Sequence, residues 1–110
     1  MKSMDLETLL TGTKWDIIKI LAASPSCPLD ISKKLNTTIA NISQQLRLLQ
    51  AAGLIEKQKT GFGKPGKPRA LFSILGDYAF ITIFSKGFAE KHLIKLNQKQ
   101  KDSIKEVIKK

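Results

Sequence analysis

The sequence predicts an α+β fold that is mainly α: a three-helix core closed by an antiparallel β-hairpin, with additional elements at both ends. Three observations predict it. Apolar residues recur at intervals of three and four along three separate stretches before Gly53, the period of helices with one buried face. The second and third of these stretches are parted only by Asn36-Thr37, which leaves room for a tight turn and nothing longer. The pattern then changes to alternation over residues 54–60 and 69–75, around a tip holding three glycines and two prolines.

From the N-terminus, residues 5–11 read as a short helix with Leu6, Leu9 and Leu10 on one side, ended by Thr11-Gly12. Thr13 is placed to cap the next helix, whose apolar positions Trp15, Ile17, Ile18, Leu21 and Ala22 follow helical spacing, with Trp15 as core. Pro25 and Pro28 stop that helix and mark an S-P-S-C-P loop. Residues 30–35 give a short helix with Leu29, Ile31 and Leu35 inward. From Thr38 the helical spacing resumes, and Ile39, Ile42, Leu46, Leu49 and Ala52 supply one buried face up to Gly53, which stands where a left-handed cap belongs.

In the strand that follows, Leu54, Glu56, Gln58 and Thr60 share one side, and Ile55, Lys57 and Lys59 the other. Beyond Gly76, residues 78–84 are aromatic and β-branched on both faces, the pattern of a buried strand. Residues 88–96 fit a helix or a strand equally well. Asn97 can cap a final helix whose apolar stripe is Ile104, Val107 and Ile108.

A chain of 110 residues is expected to form a single domain, 1–110, with a reading core over 13–75. The stretches 5–11 and 78–110 are left over and apolar enough to suggest dimerisation. Nineteen Lys and Arg against nine Asp and Glu give a formal charge of +10, which suggests a polyanionic partner. Charge alone does not separate DNA from RNA or an anionic membrane. The first residues carry two acids and lack a long apolar core, unlike a signal peptide, and no window approaches the roughly 20 apolar residues that span a bilayer. Cys27 is the one cysteine, so no intramolecular disulfide is possible. A cytoplasmic protein with no membrane association is expected.

The third helix and the hairpin carry the candidate site. With Ile39, Ile42, Leu46 and Leu49 inward, Ala40, Asn41, Ser43, Gln44 and Arg47 fall on the flanks or outward, and Thr38 stands at the helix start. Asn and Gln can bond adenine bidentately, Ser can serve any base edge, and Ala leaves room for close approach or a thymine methyl. Arg47, a turn further on, suits a phosphate. Lys57 and Lys59 on the first strand, with Lys64, Lys67 and Arg69 at a tip stiffened by Pro65 and Pro68, suit the groove edge, since a pre-ordered loop loses less entropy on binding. Phe62, apolar at this tip, packs back on the hairpin or touches sugar in a groove.

Four pieces of residues 14–75 resemble a winged helix-turn-helix transcription regulator of the ArsR/MarR kind, especially its small archaeal versions. K-W-D-I-I-K-I-L is similar to the family's opening helix, and L-D-I-S-K-K-L to its D-L-A-x-x-L. I-S-Q-Q-L-R-L-L-Q-A-A-G-L-I-E-K resembles V-S-x-H-L-x-x-L-x-x-A-G-L-V, and K-P-R-A-L-F-S-I resembles the return strand R-x-x-Y-x-L. The resemblance implies a winged helix fold and sequence-specific binding of double-stranded DNA. It further implies a recognition helix over 38–52 in the major groove, a wing over 57–69 on the backbone or minor groove, and a homodimer on a near-palindromic site, associated with the nucleoid when bound. Two alternatives from other classes stay open: a winged helix that binds protein, and a non-sequence-specific chromatin or RNA binder.

Other constellations are weak. Metal-sensing members of the resembled family place C-V-C-D where this chain has C-P-L-D, and a soft-metal site needs three or four Cys or His ligands against the single Cys27 and single His92 here. Cys27 reads as a small buried or half-buried thiol and His92 as a partly exposed residue. No nucleophile, base and orienting acid are spaced as a catalytic set, and Gly61, Gly63 and Gly66 lie in a hairpin tip instead of ahead of a helix. Neither an enzyme nor a cofactor is expected.

Overall fold

The structure, a computed structural model, describes residues 10–59 and 70–109. Packing gathers into two compact units, Met1–Leu75 and Gly76–Lys110. The expected helix over 5–11 lies almost wholly outside the described residues, as does the hairpin tip.

In the first unit, α1 (Gly12–Ala23) buries Ile17 and Leu21. Its N-cap is Thr11 and not Thr13, which lies inside the helix, and no side chain closes that end. Trp15 is 43% exposed, against the expectation of a core residue, and Ala22 is exposed too. The helix is apolar on two sides: Ile17, Ile20 and Leu21 form one stripe, and Trp15, Ile18 and Ala22 another nearly opposite. Periodicity alone does not choose between them.

The second helix, α2 (Pro28–Leu35), starts two residues earlier than expected. Pro28 sits in its first turn, where a missing N–H costs nothing and a fixed φ suits the helix, so this proline begins a helix as well as following one. Asp30 in the first turn and Lys33 and Lys34 in the last suit the helix dipole. Ile31 is fully buried, and the buried Ser32 hydroxyl donates to the Leu29 carbonyl at 2.7 Å. Leu29, expected inward, is exposed, since it lies across the helix from Ile31. Asn36 ends the helix in the left-handed conformation (φ 54°, ψ 51°), which Asn tolerates better than most residues.

One residue after the turn, α3 (Ile39–Ala51) begins, with Thr38 as N-cap accepting the Asn41 N–H at 3.0 Å. Ile42, Leu46 and Leu49 are fully buried. Burying such a side chain contributes about 1.5–3 kcal/mol, so these three fix which side of α3 faces in. Ile39 and Ala52, expected on the same face, are exposed because they lie at its two ends, beyond the elements that cover it. The helix closes on Gly53 (φ +81°), with the Gly53 N–H bonded to the Gln50 carbonyl and the Leu54 N–H to that of Leu49, a Schellman arrangement that needs the left-handed residue.

The hairpin strands β1 (Ile55–Lys59) and β2 (Ala70–Ile74) pair antiparallel, from Ile55 opposite Ile74 to Lys59 opposite Ala70. Buried Ile55 and Phe72 seat the hairpin on the helices. Ser26 and Phe72 exchange backbone bonds of 3.1 and 2.9 Å, so the loop between α1 and α2 adds a one-residue third strand to this sheet. Helices, turn and hairpin make a winged helix-turn-helix, the expected α+β fold.

In the second unit, β3 (Tyr78–Ser85) and β4 (Phe88–Lys95) form a separate two-stranded sheet turned by Lys86-Gly87, with Gly87 at φ +107°. Residues 88–96, which fitted helix or strand equally, are thus strand. Residues 78–84 form a strand as expected but not a buried one: no residue of β3 is buried, and Phe84 is 80% exposed. A strand apolar on both faces is buried only if a second layer covers each face, and a lone hairpin has none. Asn97 caps α4 (Gln98–Ile108) with a full capping box: its side chain accepts the Gln100 N–H, and the Gln100 side chain accepts the Asn97 N–H. Lys101 pairs with Asp77 at 3.3 Å, and the Leu96 N–H donates to the Asp77 carbonyl at 2.8 Å. Ile104 is half-buried, whereas Val107 and Ile108 are exposed.

Candidate nucleic-acid interface

On α3 the face opposite Ile42, Leu46 and Leu49 is set by helical geometry: Ala40, Gln44, Arg47 and Ala51 fall within one narrow stripe. All four are exposed. The stripe carries small, amide, cationic and small side chains in that order along the axis, with no acid. Ser43 stands half-buried at its side and Thr38 exposed at the helix start, its hydroxyl oxygen occupied as cap.

Asn41 sits apart from this stripe. Its Nδ2 donates to Thr37 Oγ1 at 3.1 Å, and its Oδ1 accepts from Gln45 Nε2 at 3.2 Å, so both ends of its amide are used inside the protein. The other end of the Gln45 amide, Oε1, is buried and accepts no hydrogen bond among the described residues. Thr37, Asn41 and Gln45 form a polar ladder along the flank of α3, joining the turn to the second turn of the helix. Sequence reasoning passed over Thr37 and Gln45. The signal was there, polar residues at every fourth position beside the buried face.

Of the hairpin cations, Lys57 is exposed on β1 and Lys59 is that strand's last residue. Lys64, Lys67 and Arg69, with Phe62, lie outside the described residues. Cys27 is buried as the N-cap residue of α2. His92, in the second unit, meets Glu90 at 2.7 Å with both side chains about half exposed. The described residues bring together a helix face, a turn and the base of a basic hairpin.

This assembly defines the class: a winged helix-turn-helix whose third helix is held from behind and open in front. Residues 11–57 match the family model described as bacterial regulatory protein, arsR family, so that segment is ArsR-like. Among solved structures it is similar to a cysteine-to-serine mutant of Lactococcus lactis ZitR, with 26% identity and a TM-score of 0.54 over 67% of this chain. The likeness covers 47% of the ZitR chain, so this protein spans about half of that structure. No curated protein matches the sequence.

Proposed function

We propose that this chain is a transcription regulator that binds a specific sequence of double-stranded DNA, with α3 in the major groove and the basic hairpin along the backbone or in the minor groove. The observation that supports it most is the outward stripe of α3, whose direction is fixed by three fully buried residues on the other side. Gln44 is exposed and has a free choice of base edge, Ala40 clears space for close approach, and Ser43 serves the adjoining edge. Arg47 meets a phosphate. Thr38 and Asn41 order the first turn, so that its backbone and short side chains meet the groove in a fixed register. Lys57, Lys59, Lys64, Lys67 and Arg69 supply backbone contacts, which position the protein without carrying sequence information.

The two units act in this proposal as one regulator, a homodimer formed through the second unit and working in the cytoplasm. Twofold symmetry then sets two copies of α3 about 34–36 Å apart, one turn of DNA. Selection of bound sequences from a random duplex pool at fixed salt tests the proposal. A near-palindromic site should emerge, and Gln44→Ala should weaken binding to it by about 1–3 kcal/mol while leaving random duplex unaffected. Replacing Lys64, Lys67 and Arg69 should weaken all sequences alike and flatten the slope of log K against log salt by about 0.9 for each phosphate no longer neutralised. A pool that yields no enriched sequence, or a Gln44→Ala variant with unchanged preference, refutes specific reading by α3.

A further inference from the structure

The second unit carries a strand edge that binding to DNA leaves unused. β3 reads Y-A-F-I-T-I-F-S, eight residues without an acid, a base, a proline or a glycine. Its partner β4 carries Glu90, Lys91, His92 and Lys95. The sheet contains these two strands alone among the described residues, so each has one paired side and one open side.

The ladder determines which groups face the open side of β3. The Leu96 N–H donates to the Asp77 carbonyl at 2.8 Å, which makes Asp77 and Leu96 a hydrogen-bonded pair. In antiparallel pairing such pairs recur at every second residue, and the register continues in step through Ile81 with His92, Ile83 with Glu90 and Ser85 with Phe88. The odd-numbered residues of β3 therefore direct their N–H and C=O groups to β4. Phe80, Thr82 and Phe84 direct theirs away from it.

Sheet edges in natural proteins are commonly blunted by lysine, proline or other charge, because an open uncharged edge pairs with further strands. Here β4 is blunted and β3 is not. We propose that the β3 edge docks on the β3 edge of a second copy of this chain, antiparallel, to give a four-stranded sheet in the order β4, β3, the partner's β3, the partner's β4.

Two arguments select a second copy as the occupant. The first is register. A twofold axis at Ile81 sets Phe80 opposite the partner's Thr82 and Thr82 opposite the partner's Phe80, so outward groups meet outward groups on both sides of the axis and apolar side chains adjoin on both faces. The second is charge. The chain carries +10, yet this seam brings no two like charges together. Self-pairing of β4 about its two central residues would instead set Lys91 against the partner's Lys91, or His92 against the partner's His92. An uncharged edge likewise offers nothing to a partner recognised by charge. The added strands also supply what a two-stranded hairpin lacks, since such a ribbon is marginal alone in water. The exposed Ile83 and Phe84 gain cover across the seam.

This deepens the dimer of the proposed function and rests on it only for its use on DNA, so it is tested without DNA. Thr82→Pro in the full chain removes an outward N–H and leaves the β3–β4 ladder bonds in place, as proline does on edge strands. Lys91→Pro is the control, on the same rung but the opposite edge. Sedimentation equilibrium at micromolar concentration should give a dimer for the wild type and for Lys91→Pro, and a monomer for Thr82→Pro and for Thr82→Lys. Amide hydrogen exchange on the wild type should show Phe80, Thr82 and Phe84 protected, and this reading stands even if a proline variant fails to fold. A monomeric wild type, a dimer that survives both Thr82 substitutions, or fast exchange at those three amides overturns the proposal. A monomer that still selects one DNA sequence would remove the edge and leave the DNA reading standing, and a dimer without DNA preference would do the reverse.

Discussion

Gln45→Met should make this protein more stable, although it deletes a hydrogen bond. Among the described residues the Gln45 amide makes one bond, from Nε2 to Asn41 Oδ1 at 3.2 Å, and keeps Oε1 buried without a donor. A net intramolecular hydrogen bond contributes about 0.5–1.5 kcal/mol, whereas a buried group left unsatisfied costs about 1–3 kcal/mol. Methionine has the same unbranched shape and nearly the same helix propensity. Asn41 is only half-buried, so its Oδ1 can recover a bond from water. The balance is a gain of about 1 kcal/mol, which in the melting temperature of a domain of this size is a rise of roughly 4–8 °C. Thermal unfolding followed by circular dichroism, with urea midpoints as a second measure, reads it directly. Gln45→Ala is the contrast: it removes the same amide but also the packing of its stem, and should lower the midpoint. A Gln45→Met protein that melts below the wild type would show that the ladder stabilises more than its orphaned end costs.

Thr38→Ala removes the N-cap bond to Asn41 and should cost about 1 kcal/mol, seen as a lower urea midpoint with an unchanged slope. Leu46→Ala empties a fully buried site and should cost about 2–5 kcal/mol by the same measurement; a smaller loss would mean that the core around α3 collapses to fill it. Asn36→Val places a β-branched residue in the left-handed turn and should cost at least about 1–2 kcal/mol, while Asn36→Gly, free of that strain, should stay within a few tenths of the wild type; equal losses in the two would refute a conformational origin.

The helices of the first unit were legible because their buried stripes repeat and their punctuation is chemical. Thr38 before α3, Asn36 in the turn and Gly53 after the helix each stand where the backbone has a need that few other residues meet. The outward stripe of α3 followed from the same period. Trp15 was misplaced for an equally physical reason: α1 carries two apolar stripes, and only its neighbours decide which one is covered. The strand β3 was readable as a strand and not as an exposed one, since propensity belongs to the segment and burial to what lies against it. Nothing in S-P-S-C-P announces that Ser26 pairs with Phe72, because one residue has no period. The engagement of Asn41 was hidden at a finer level still, in the choice of partner by a side chain that could equally have turned to solvent.

The bond pair between Ser26 and Phe72 also bears on the order of assembly. Most pairings in the first unit are local, within a helix or across a short turn, but this one joins residues 46 positions apart in the sequence. Closing so long a loop costs entropy before any contact repays it, and rates fall as such distant pairings come to dominate. On a growing chain, the three helices are complete by Ala51 and can condense on Ile17, Ile31 and Ile42 while β2 is still being made. The hairpin base closes only once Phe72 has emerged, and it closes onto a loop the helices have already placed. A substitution at Phe72 should therefore speed unfolding far more than it slows folding, whereas one at Ile42 should do both.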